Sequence, residues 1–248
     1  MKKFHRTFQA FIIFGLIYGS SDLHSQSLSL DMSSSGGSLT SKLVQMVGLI
    51  SVLSLAPSIL VMVTSFTRIV VVMSFLRTAL GTQQSPPNTV LISLALFLTL
   101  FVMGPVLEKS YQEGLAPYMD EKISEEEAFQ KTMSPLHKFM MAHVREKDLL
   151  LFVDLGKIQD IKKPEDTPLR VLIPAFMISE LHRAFEIGFL IFLPFLVIDL
   201  VVASVLMAMG MMMLPPTSIA LPFKLIFFVM VDGWHLTVGS LVKGFITS

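Results

Sequence analysis

The apolar residues of this chain are gathered into long blocks, Leu43 to Phe66, Thr89 to Leu107, Val171 to Leu214 and Ile219 to Ile246, with one strongly polar stretch among them. A bilayer core is about 30 Å thick and a helix needs roughly 20 apolar residues to cross it, so blocks of this length point to membrane helices. Composition agrees. The 248 residues are 52% hydrophobic and only 15% charged, with a mean hydropathy of +0.68, which is more apolar than an ordinary soluble domain.

The amino terminus reads as an address. Lys2, Lys3 and Arg6 precede an apolar run from Phe8 to Tyr18, and Gly19, Ser20 and Ser21 follow it, which is the plan of a cleavable secretory signal. The run is too short for a spanning anchor. Residues 1–21 are therefore expected to be the signal peptide, and the Ser- and Gly-rich residues 22–41 a flexible mature terminus.

Residues 42–107 read as a first helical hairpin. Its two apolar segments are joined by a stretch carrying Arg68 and Arg77 and by the turn sequence Gly81 to Asn88, where Pro86 and Pro87 stop one helix and Asn88 or Thr89 caps the next. Residues 108–170 are rich in mixed charge and read as an aqueous region with amphipathic helices around Glu125 to Val144. Residues 171–248 read as a second hairpin, with breaks expected near Pro174, Pro194 and Pro222, since freed backbone groups are tolerated in a membrane where protein or a cavity covers them. At a shift of 129 positions, Gly81, Pro86, Pro87 and Gly104 fall on Gly210, Pro215, Pro216 and Gly233. That correspondence suggests a parallel repeat, with shared turn chemistry as the alternative. A cleaved signal places residues 108–170 outside. Their ten basic residues argue for the cytoplasm under the positive-inside rule, but a loop of roughly 60 residues is long enough to escape it.

Charges inside apolar segments are costly and need partners. Glu180, Arg183 and Glu186 stand three apart and suggest a self-neutralising ladder on one helix face. Asp199 and Lys224 lie on different segments and suggest a pair across them, either fixing how helices dock or relaying ions. His182 and Glu186, four apart, make half a metal site with no second half. Met207, Met209, Met211, Met212 and Met213 crowd the second turn; composition alone reads them as adaptable filler, while a pore-facing cluster could close around cargo of varying shape. No Gly-x-Ser-x-Gly, His-Glu-x-x-His or phosphate-binding loop is present. The chain is expected not to be an enzyme and to need no cofactor or metal. Its formal net charge of +0 argues against nucleic acid as a partner, and its lack of cysteine removes disulfides and thiolate chemistry.

Several long strings carry a resemblance: SFTRIVVVMSFLRTALGTQQSPPN (65–88), IPAFMISELHRAFEIGF (173–189), FLPFLVIDLVVASVLMAMGMMMLPP (192–216) and SIALPFKLIFFVMVDGW (218–234). In this order and ungapped they resemble the FliP family, the flagellar members of the export-gate proteins of type III secretion. The resemblance runs from about residue 43 to the end and is weakest over 108–165. It implies an all-α integral membrane protein of proline-broken helical hairpins, with an amphipathic helical periplasmic insertion. It also implies a homo-oligomer, a pentamer, assembled with FliQ and FliR alongside components such as FlhB and FlhA. That assembly forms the entrance channel for unfolded flagellar proteins in the inner membrane at the basal body, raised toward the periplasm. Under it, Met211, Met212 and Met213 match a pore gasket, and Glu180, Asp199 and Lys224 match charged positions that pair. Flagellar members carry a cleaved signal and injectisome counterparts lack one, so residues 1–21 favour the flagellum over a virulence injectisome. A secondary ion transporter using Asp199 and Lys224 is the other alternative.

Overall fold

The computed structural model describes residues 39–158, 166–211 and 213–246. The expected signal peptide, most of the expected flexible terminus and Met212 lie outside the described residues. The chain divides into two units, 1–51 and 52–248. Helix α1, Leu39–Met62, runs from the first into the second. In the first unit its described apolar residues Leu43, Val44, Met46, Val47 and Ile50 are all exposed.

Within the second unit the chain leaves α1 through a short turn, in which Val63, Thr64 and Ser65 are buried, and enters α2, Phe66–Leu80. Ile69, Val72, Met73, Leu76 and Leu80 are buried; their spacing of three and four draws one stripe along the helix. The stretch read as a connector between apolar segments is therefore itself helical and forms the centre of the core. It packs chiefly on α7 and also on α3.

Helix α2 ends at Gly81, whose φ of +76° closes the helix in a left-handed cap that a residue with a Cβ adopts only with strain. Helix α3, Asn88–Ser110, runs on through a π-helical stretch, Tyr111–Leu115, and short α4, Ala116–Met119. The π stretch lies against α5, where the Gly114 position comes close to Thr132. Helix α5, Glu125–His143, starts where the Ser124 hydroxyl accepts from the Glu127 N–H, a cap that contributes about 1 kcal/mol. It buries Leu136, Phe139, Met140 and His143. Helix α6, Glu146–Leu155, follows directly.

Helix α7, Leu169–Ala208, holds 40 residues in one run, about 60 Å of helix. The breaks expected at Pro174 and Pro194 do not occur. Each proline removes one backbone bond, but α2 packs along α7 and α8 flanks it, and packed neighbours let a helix pass through such a defect. Helix α8, Pro216–Met230, likewise contains Pro222 without stopping. The chain breaks instead at Val231 and Asp232, where α8 and α9, Gly233–Ile246, meet at a bend of 61°. Asp232 is left-handed there, with φ +50°, and the Phe228 ring lies where a Cβ on residue 233 would be, 2.1 Å from it.

Among the described residues, Asn88–Met119 and Leu169–Ala208 are long and apolar enough to cross a membrane, and α8 with α9 could form a third, bent span. Only 11% of the most apolar window of α7 is buried. Its outward surface is hydrocarbon that a monomer in water would not leave bare.

Candidate functional site

The turn between α7 and α8 repeats the design of the turn between α2 and α3. Gly210 has φ +73° against +76° at Gly81, and prolines stand at the start of the next helix in both, Pro87 just before Asn88 and Pro215 and Pro216 at the head of α8. Gly81 and Gln83 of one turn and Thr217 and Ser218, at the start of the helix that follows the other, line a single cleft of about 480 Å³, so both turns lie at the same end of this unit. Met209, Met211 and Met213 sit at the second turn with their side chains in the open. Met209 is 57% exposed, Met211 47% and Met213 98%. Unbranched thioether side chains held clear of their own fold can repack against whatever meets them. Just behind the turn, α7 and α8 enclose a groove of about 560 Å³ whose walls are apolar, among them Val201, Phe223 and Met230.

Two ion pairs tie α7 to its neighbours, one to α8 and one to α2. Lys224 on α8 donates to the Asp199 carboxylate on α7 at 2.7 Å and to the Ala79 carbonyl on α2 at 3.2 Å. One ammonium thus fastens three helices at the end where the turns lie. The other Asp199 oxygen, Oδ1, is buried without a hydrogen bond among the described residues.

Deeper in the core, Glu180 on α7 takes the guanidinium of Arg68 on α2. Arg68 Nε donates to Oε2 at 2.8 Å, and Nη2 donates to Oε1 in a second, parallel contact. These side chains are 3% and 0% exposed. The guanidinium also lies over the Phe245 ring of α9, 3.8 Å from its centroid, so the pair reaches a third helix. The ladder expected among Glu180, Arg183 and Glu186 does not form. Glu180 faces inward to Arg68 and Glu186 bonds to His182 at 2.8 Å, while Arg183 makes no ion pair among the described residues. Each step of three residues turns the position by about 60°, so Glu180, Arg183 and Glu186 pass from the buried face through its margin to the exposed one.

Two further polar groups have no local signal in the sequence. The Ser179 hydroxyl, on α7, accepts from the Arg145 N–H at 3.0 Å and bonds to Asp148 at 2.6 Å, while Arg145 grips Asp148 with two contacts of 2.8 and 2.9 Å. This fastens α6 to α7. The Arg145 guanidinium holds the Asp148 carboxyl below the usual carboxylate range, with Ser179 adding to the effect against burial. His143, buried at the end of α5, has Nδ1 2.8 Å from the Phe139 carbonyl and Nε2 3.3 Å from the Phe245 carbonyl. Burial pushes its imidazole below the ordinary histidine range; the two carbonyls oppose this, and Arg68 and Arg183 reinforce it.

Apolar rods with bare outward faces, exposed methionines at a turn and buried ion pairs between helices define an all-helical chain whose helices suit a membrane. Residues 49–241 match the FliP family, and the chain belongs to that family. It is 64% identical over 210 residues to the flagellar biosynthetic protein FliP of Caulobacter vibrioides, covering 85% of this chain and 79% of that one. It is 54% identical over 213 residues to the Bacillus subtilis protein of the same name, covering 86% and 96%. The Rhizobium meliloti protein of that name is 52% identical over 212 residues, covering 85% and 86%.

Proposed function

We propose that this chain is a core channel subunit of a flagellar protein-export apparatus, forming the gated entrance pore through which unfolded flagellar subunits leave the cell. The observation that carries this reading is the α7–α8 turn, where Met209, Met211 and Met213 stand exposed at the end of two apolar helices, in a chain whose relatives are named for flagellar biosynthesis. Copies of the chain, five in number, would assemble with FliQ and FliR in the inner membrane at the basal body, next to FlhB and FlhA, with residues 108–170 on the periplasmic side. Met211, Met212 and Met213 would then converge on one axis and close it. The test is ion leak through the assembled complex after Met211, Met212 and Met213 are changed to Ala. Leak should rise clearly above background, and a complex that assembles fully yet stays tight refutes the gasket.

A transporter would use Asp199 and Lys224 as a relay. The Lys224 ammonium is instead anchored by two oxygens on two other helices, which favours docking. The double change Asp199→Asn with Lys224→Gln should therefore lower the yield of assembled complex. Loss of ion flux with assembly intact is the result that would favour the relay.

A further inference from the structure

Phe97, Phe101, Pro105 and Lys109 follow one another at intervals of four along α3, which places them in one slowly turning stripe. The two rings are 72% and 67% exposed, and Pro105 and Lys109 are exposed as well. Above Pro105 the stripe opens into a pocket of about 280 Å³ between α3, the π stretch and α5, whose floor is Pro105, Val106 and Phe139 and whose rim carries Lys109, Lys138 and Ser134. Glu113 and the buried His143 are the other titratable groups lining it. Neither Lys109 nor Lys138 has an ion-pair partner among the described residues.

We propose that this pocket binds the phosphate headgroup of an anionic phospholipid, with one acyl chain laid along the Phe97–Phe101 stripe. Three observations fit that ligand. The rim offers two ammonium groups and a hydroxyl, the donors a phosphate diester accepts. The floor is apolar, and Pro105, which lines it, is the next member of the exposed stripe after Phe97 and Phe101, an arrangement that suits a lipid and has no use for a free phosphate. The length agrees too: twelve residues of helix from Phe97 to Lys109 span about 18 Å, close to one leaflet of a bilayer whose full thickness with headgroups is about 40–45 Å. Lys109 stands two residues beyond Leu107, where the apolar run of α3 ends, so its ammonium lies at headgroup level whenever α3 lies in the bilayer.

The inference rests on the reading that α3 resides in the membrane, and that reading is tested separately by alkaline carbonate extraction of membranes carrying the full chain. The ligand is tested by native mass spectrometry of the full chain released from nanodiscs holding equal phosphatidylglycerol and phosphatidylcholine. The wild-type chain should retain phosphatidylglycerol preferentially. Each lysine near an anionic headgroup is worth about fivefold, so K109Q with K138Q together should lower that retention about twenty-five-fold. The conservative K109R with K138R should keep most of it, and K131Q, which removes a lysine paired with Glu127 elsewhere on α5, should leave it unchanged. Circular dichroism confirms that each variant is folded, and a failure of K109Q with K138Q to fold leaves the two lipids competing on the wild type as the deciding readout. Equal retention of the two lipids, or a folded K109Q/K138Q chain indistinguishable from wild type, overturns the proposal. Complete displacement by excess inorganic phosphate overturns it as well, since the site would then be a simple anion pocket. A chain that carbonate extracts refutes the membrane reading itself.

Discussion

Breaking one half of the Arg68–Glu180 pair gives the sharpest test of how α2 is held to α7. Both side chains are almost wholly out of solvent, and two parallel contacts join them. Removing one partner from such a pair leaves an uncompensated buried charge, which costs about 3–5 kcal/mol. Glu180→Gln keeps one oxygen facing the guanidinium, and Phe245 still lies beneath it, so its cost should fall near 3 kcal/mol on that scale. Glu180→Leu keeps no acceptor and should fall near 5 kcal/mol. Replacing both partners together, Arg68→Met with Glu180→Leu, removes the charges along with the need to solvate them. An apolar pair of similar volume is often neutral or better, and a methionine sulfur can still rest on the Phe245 ring. The double variant should therefore be more stable than Glu180→Leu alone, with a coupling energy on the order of 3 kcal/mol. Unfolding by SDS in mixed micelles can be followed through Trp234, the chain's one tryptophan, which packs edge-on to Phe228 at 5.6 Å between ring centroids. Single variants that each cost under about 1 kcal/mol, or a double variant no better than the worse single, would refute the argument that this pair is an obligatory buried contact.

The contact between Gly188 on α7 and Phe75 on α2 gives a second expectation. A Cβ at position 188 would sit 2.4 Å from Phe75 Cδ2, so Gly188→Ala should cost about 1–3 kcal/mol in the same assay, and Phe75→Leu in that background should restore part of it. His143 gives a third, on pH. Its folded pKa is depressed, so between that value and the ordinary histidine value of about 6.5 the unfolded chain binds more protons. The stability it contributes is complete above about pH 6.5 and is lost as pH falls through the depressed value. Unfolding midpoints measured from pH 7 downward should fall more steeply for the wild type than for His143→Gln, and parallel curves would remove His143 as the cause.

How much of this was legible in the sequence depends on whether a signal was local. The two turns were visible because proline cannot continue a helix and glycine is the residue that closes one in the left-handed region; Gly81 and Gly210 do so. The amphipathic helix expected around Glu125 to Val144 runs from Glu125 to His143, where a Ser-x-x-Glu start and a buried stripe agree. Prolines misled inside the long rods. Pro174, Pro194 and Pro222 sit within continuous helix, while the break fell at Asp232, which adopts φ +50° and carries no breaker in its own side chain. The pairing of Arg68 with Glu180 joins residues 112 apart in sequence, so no spacing rule could assign it, and the nearer Arg183 was the natural but mistaken partner. The most instructive miss is α2. Arg68 and Arg77 interrupt an apolar run and made residues 66–80 read as a connector, yet Ile69, Val72, Met73, Leu76 and Leu80 repeat at helical spacing and form the buried centre. In a chain this apolar, solvent-facing surface is not where hydrophobicity falls. A lone arginine within such a stripe marks the place where two helices must meet, because only there can a carboxylate from another segment cover the charge.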